Sequence, residues 1–291
     1  MSFQDGFIEE RLGAFPSPWQ NTHYRMPLAT IAEIEQTPDE FTDLIKYVKN
    51  INDQGNVGSC VGHCGDTVMS ILNYMKDMEH DDLSAGWLYW RSRYWANIFD
   101  PGIQGSTNLG LMKALNKEGA ALEACAETDV VKPFEIDPCP DAFEMAQNYM
   151  ISSYYFVNRN PTDMKAAMYG LIPGFPDKTP LVTAIPVYES FKFSYENGVV
   201  PKPVFGERLL GGHSTAIVGW KIINDEEYWI NAGSWGTDVG DKGFFYLPID
   251  YPFYDVELVK MGSPVPVEKM SFMCQIIAGL KNFFNCKGGE S

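Results

Sequence analysis

The chain has 291 residues, 45% apolar, 14% aromatic and 21% charged, which excludes disorder and fibrous repeats and suffices for one large domain or two halves around a shared core. Lysine and arginine total 22 against 38 acidic residues, and the net charge of −16 disfavours nucleic-acid phosphates and anionic membranes, leaving a neutral or basic polymer as the better substrate. No run reaches the roughly 20 apolar residues that span a bilayer, and the opening MSFQDGFIEE lacks the basic and apolar regions of a signal peptide.

Residues 1–50 carry Pro16, Pro18, Pro27 and Pro38 and read as an extended arm with a short helix near Pro38–Lys49 that wraps a domain rather than forming one. From Cys60, the residues Val61, Cys64, Val68, Ile71, Leu72 and Met75 recur at steps of three and four, which predicts a helix to about Met78. Gly62 and Gly65 lower its propensity, a feature tolerated where another backbone approaches closely. Leu83–Ile98 is aromatic-rich, with Trp87, Tyr89, Trp90, Tyr94 and Trp95 expected mainly in the core, and Asn108–Glu118 has helical spacing. A mainly helical lobe is therefore expected over 51–160. Past Pro180 the runs LVTAIPVYESF, HSTAIVGWKI, EYWINAG and GFFYLP are short, β-branched and aromatic, and predict an antiparallel β lobe or barrel over 161–262. The tail, 263–291, is apolar from Met270 to Phe284 and is read as a helix that docks on the body or on a protein partner.

The six cysteines form no C-x-x-C pair, so neither a zinc ribbon nor a disulfide scaffold is expected, and a cytoplasmic or other reducing compartment is the simplest setting, with a virion or export without a signal peptide as alternatives. Chemistry concentrates at Asp53-Gln54-Gly55-Asn56-Val57-Gly58-Ser59-Cys60, a glycine-rich turn that sets a cysteine at a helix N-terminus. The positive end of the helix dipole and its unpaired N–H groups favour a thiolate there. Of the histidines at 23, 63, 80 and 213, His213 follows Gly211-Gly212 at the mouth of a strand, the setting of a site residue. A metal site from Cys60, His63, Cys64 and His80 is the weaker reading, because no further cysteine pair completes it.

These blocks resemble the papain-like cysteine peptidases. DQGNVGSC is similar to the family's Q-G-x-x-G-S-C, GGHSTAIVGW to its G-H-A-V-x-x-V-G-Y, and YWINAGSWGTDVGDKGFFYLP to its N-S-W-G-T-x-W-G-x-x-G-Y, in the family's order and covering about Thr42 to Pro248. The interval from Gln54 to Cys60 matches the family, and His213 lies 153 residues beyond the cysteine, close to the roughly 130–150 usual for it. The resemblance implies an α+β fold with the cleft between a helical and a β-barrel lobe. It makes Cys60 the nucleophile, His213 the proton carrier, and Gln54 with the Cys60 backbone N–H the oxyanion donors. Gly105, Ser106 and Gly212 would contact an extended peptide, unless the 105–106 loop merely turns the chain, and Trp235 would shield the histidine's orienting hydrogen bond. No cofactor or metal is implied, and the substrate is a polypeptide or another amide.

Several positions depart from the family pattern. The asparagine expected directly before Ser-Trp-Gly is Gly233, so Asn231, two residues earlier, is the candidate to orient His213. Two strand residues span roughly 6.6 Å, so Asn231 reaches only if Ala232-Gly233 form a bulge; Asn224 or a water are the alternatives. Val57 replaces the family's disulfide cysteine, Val61 its aromatic after the nucleophile, and Val239 its second tryptophan, and no propeptide of the usual length precedes Cys60. Two rival readings follow: a catalytically inactive binding or structural member of the fold, or an amidase or acyltransferase using the same dyad.

Overall fold

The computed structural model describes residues 9–18, 25–28, 30, 35–76, 82–129 and 136–262. The tail read as a docking helix, together with His23 and His80, lies outside them. The predicted nucleophile helix forms as α1, Cys60–Met75, followed by α2, Ala85–Trp95, and α3, Asn108–Lys117. Side chains set two of these starts: the Ser84 hydroxyl accepts from Trp87 N, and that of Thr107 from Gly110 N, each meeting an otherwise orphaned N–H. The glycines of α1 serve close packing. A Cβ at Gly62 would stand 2.3 Å from the Ala85 carbonyl oxygen, and one at Gly65 would stand 2.7 Å from Leu111. The aromatic stripe is core at Trp87 and Tyr89, while Tyr94 is exposed. The short helix expected over Pro38–Lys49 is one 3-10 turn, Ile45–Tyr47.

The four anticipated strands are β4, Leu181–Tyr188, β5, Leu209–Ile223, β6, Glu226–Ala232, and β7, Phe244–Pro248. Two more complete one antiparallel sheet in the order β3-β8-β4-β5-β6-β7, with β3 spanning Ile151–Phe156 and β8 spanning Asp255–Met261. The β3 segment lies within the stretch read as helical yet forms a sheet edge, and β7 forms the other; among the described residues the two edges do not pair. Between β3 and β4 a helix, Pro161–Tyr169, starts on the Asn160 cap and ends on Gly170 at φ 79°. None of the described helices is long and apolar enough to cross a membrane.

The α1 helix packs across β5, so the two lobes share one apolar core running from Val61, Val68 and Leu111 through Ile185, Val218 and Trp229. A buried polar chain also crosses the boundary. Ser214 Oγ donates to Asn108 Oδ1 at 2.9 Å, and Asn108 Nδ2 donates to Glu257 Oε2 at 3.1 Å. Burial, with Asp255 adding to it, holds the Glu257 carboxyl well above the usual carboxylate range against the opposing hydrogen bond from Asn108.

Candidate active site

Cys60 begins α1 and His213 lies near the start of β5, so the helix–sheet packing that builds the core also sets these two residues at the lobe boundary. Gln54 is fully buried beside them. Its backbone N–H donates to the Ser234 carbonyl at 2.9 Å, and its Oε1 accepts from Ser234 Oγ at 2.6 Å. Both ties fix the carboxamide so that Nε2 points into the cleft, where it donates to the Val57 carbonyl at 2.6 Å and to the Arg11 carbonyl at 2.8 Å. Trp235 lies over the His213 ring, with centroids 4.5 Å apart and planes 33° apart, and keeps water from it.

The cleft is filled by the chain's own arm. Residues 9–15 enter as a 3-10 turn, Glu9–Arg11, and a two-residue strand, β1, Ala14–Phe15. The strand runs parallel to β2, Ser106–Thr107. Gly13 is gripped from both walls: its N–H donates to the Gly212 carbonyl at 3.0 Å, and its carbonyl accepts from Ser106 N at 2.8 Å. Only glycines fit there. A Cβ on Gly13 would stand 1.9 Å from the Gly58 carbonyl oxygen, and one on Gly212 would stand 2.0 Å from that of Ala14. The Arg11 side chain reaches Asp53 at 3.4 Å. Gly105, Ser106 and Gly212, expected to contact a peptide, thus line the groove that the arm occupies, while Trp235 packs on the histidine.

This occupation sets the electrostatics. Cys60 is wholly buried, which pushes its thiol up to about 11 against the downward pull of nearby N–H groups of Ser214, Gly13 and Val61. Burial pushes His213 down to about 3, with His63 and Arg11 adding positive charge against it. Between these values both groups are neutral, and neither ring nitrogen of His213 has a hydrogen-bond partner among the described residues. Thiol and imidazole are present but uncharged and unjoined.

The structure does not bring Asn231 to His213. The bulge falls in β5, between Ile217 and Gly219, rather than at Ala232-Gly233. Asn231 pairs with Ile217, and its Oδ1 accepts from Thr215 Oγ1 at 3.0 Å, so it braces the strand two residues beyond the histidine. Asn224 sits in the turn after β5, at φ 50°, at the opposite end of the strand from His213. Nothing in Arg11-Leu12-Gly13-Ala14 sets these cleft-filling residues apart in the sequence, since a lone glycine two places after an arginine is too common to single out.

A helix-borne cysteine, a strand-borne histidine and a glutamine donor across a helix–sheet cleft is the layout of the two-lobed thiol peptidases. The profile described as papain family cysteine protease matches residues 37–254, and the chain belongs to that family. A cathepsin B-like CP1 of Giardia intestinalis is 28% identical over 233 residues, 76% of this chain and 73% of that protein. A cathepsin B-like cysteine proteinase 3 of Caenorhabditis elegans is 42% identical over 68 residues, covering 23% of this chain and only 18% of that protein. In fold, xylellain, a cysteine protease from Xylella fastidiosa, aligns over 87% of this chain and 96% of its own at a TM-score of 0.73 and 20% identity. The proCathepsin B S9 of Trypanosoma congolense aligns over 89% of both chains at 0.67 and 17% identity.

Proposed function

We propose that the protein is a cysteine peptidase that hydrolyses peptide bonds through a thioester and is held latent by its own N-terminal arm. The observation that carries this reading is the grip on Gly13, whose N–H and carbonyl are met by Gly212 and Ser106 while the neighbouring Arg11 carbonyl lies on Gln54 Nε2. A cleft that holds main chain on both walls and offers a donor to a carbonyl is built for polypeptide. In the open state, resolvated His213 takes the Cys60 proton, and the thiolate attacks the substrate carbonyl carbon. Gln54 Nε2 and the Cys60 N–H hold the oxygen while it carries charge. As the C–N bond breaks, His213 returns the proton to the leaving amine, and water then hydrolyses the thioester with the same imidazole as base.

The test pairs the full chain with a form cut after Pro18, which frees the cleft-filling residues 9–15 and keeps Phe41 and Leu44 in the core, each incubated with a fluorogenic peptide amide and a thiol-directed epoxide. The cut form should turn over the amide and take the epoxide at Cys60, and Cys60→Ala should do neither. If the cut form is folded yet inert on peptide amides and Cys60 remains no more reactive than Cys139, the chain is a binding member of the fold. That reading has its own support in the His213 ring, whose nitrogens have no hydrogen-bond partner among the described residues.

A further inference from the structure

Behind the nucleophile, α1 presents a second polar stripe to a cavity of about 340 Å³. His63, Asp66, Ser70 and Tyr74 recur at helical spacing and line one wall, the segment from Tyr47 to Asp53 lines another, and Asp82 and Glu123 close the far side. Among the described residues four carboxylates line the cavity, that of Glu123 accepting from Thr128 N and Oγ1, against one ammonium, that of Lys49, which lies over the Tyr74 ring at 5.5 Å. They repel one another: burial, with Glu123 and Asp82 adding to it, pushes the Asp66 carboxyl up to about 6 despite hydrogen bonds from Asn52 Nδ2 and Ser70 Oγ. Asp53 is shared with the cleft through Arg11, so the acids proper to the cavity are Asp66, Asp82 and Glu123.

The second observation is His63. It is 4% exposed and lines the same cavity, yet neither Nδ1 nor Nε2 has a hydrogen-bond partner among the described residues. A buried imidazole with both nitrogens unmet is costly, which points to a ligand that supplies what the protein does not. Burial pushes His63 down to about 4, so at neutral pH the ring is uncharged and offers one acceptor lone pair. Among the described residues no three His, Cys, Asp or Glu groups lie close enough to hold a metal ion. The acids surround a space rather than a point, and an extended cation with several N–H donors matches that better than a bare ion.

We propose that this cavity binds a small organic cation through a guanidinium or primary-ammonium group, with Asp66, Asp82 and Glu123 supplying the negative field and His63 accepting a hydrogen bond. The cavity adjoins the cleft through Asp53 and His63, but its occupancy is read by binding alone and does not require peptidase activity. The probe is agmatine, which carries both groups and has no carbonyl for Cys60 to attack, added to the full chain at constant ionic strength. The expected result is a saturating rise in Tm together with a saturating shift of the His63 ring resonance in the unmodified protein, and at least tenfold weaker binding in Asp66→Asn. Glu226→Gln, a carboxylate on β6 outside the cavity, should bind as the parent does. A His63 resonance that does not move overturns the proposal, and so does an equal rise in Tm with tetramethylammonium, which would reflect screening of the overall charge.

Discussion

Gln54 carries two burdens, and they separate by measurement. Its carboxamide donates to Arg11 and Val57 and accepts from Ser234, so Gln54→Ala leaves three buried groups unmet and should destabilise the closed protein by about 1–3 kcal/mol in chemical denaturation. In the arm-cut form the same change should lower kcat about 10²–10³-fold, the usual loss for one oxyanion donor. Asn231 should behave otherwise. Its contacts are Thr215 Oγ1 and the Trp229 carbonyl, so Asn231→Ala should cost about 1–3 kcal/mol of stability with less than a tenfold change in kcat/KM. A loss of a hundredfold or more with stability unchanged would make it the residue that orients His213 after all. Cys60, His213 and Gln54 stand out in the sequence as candidates because each sits in a block of several matching residues, and the fold sets all three at the lobe boundary. The orienting partner does not, because it depends on where a bulge falls, and a one-residue slip in register turns a side chain to the other face of the sheet.

Among the elements, the helices and strands with strong periodicity were legible to within a few residues, and Gly62 and Gly65 correctly announced close packing against α2 and α3. The sequence of β3 and β8 hid them: ISSYYF and DVELVKM mix polar and apolar residues, and Glu257 in the middle of β8 argues for exposure until its partner Asn108 is seen. The arm was legible only as a wrapping segment, since two residues of strand carry no periodicity. Its docking hangs on Gly13, which gives a sharp expectation. Gly13→Leu puts a side chain where the Gly58 carbonyl stands, at 1.9 Å for the first carbon alone, so the arm should leave the cleft while the lobes stay folded. At pH 7 the variant should be alkylated by iodoacetamide at Cys60 at least tenfold faster than the parent, with Tm of the body little changed. An unchanged rate would mean that the arm does not control access to the thiol.

At the scale of the whole molecule, closure and protonation are linked, and the signs follow from the two pKa values. With the arm docked, His213 sits at about 3, and on release it returns toward the ordinary 6.5. Between those values the open state binds a proton that the closed state does not, so docking weakens as pH falls below 6.5, by about 1.4 kcal/mol per pH unit. Cys60 acts at the other end: docked at about 11 and ordinarily 9.0, it favours the open state once pH rises above 9. Docking is therefore strongest from about 6.5 to 9. Among the described residues, Asp66 and Glu257 have no charge interaction with the arm or with His213, whereas His63, down to about 4 and interacting with His213, and Cys64, up to about 12 and interacting with Cys60, titrate outside the 6.5–9 window. Hydrogen exchange of the Gly13 amide, corrected for intrinsic rate, reads this directly because its only route to solvent is arm release from Gly212. Protection of Gly13 should be flat from pH 8 to 6.5 and then fall about tenfold per unit, while the Trp220 amide, bonded to Phe41 in the body, stays constant. If both amides lose protection together, acid unfolds the molecule as a whole. If neither moves down to pH 4.5, burial of His213 is not what opposes release of the arm.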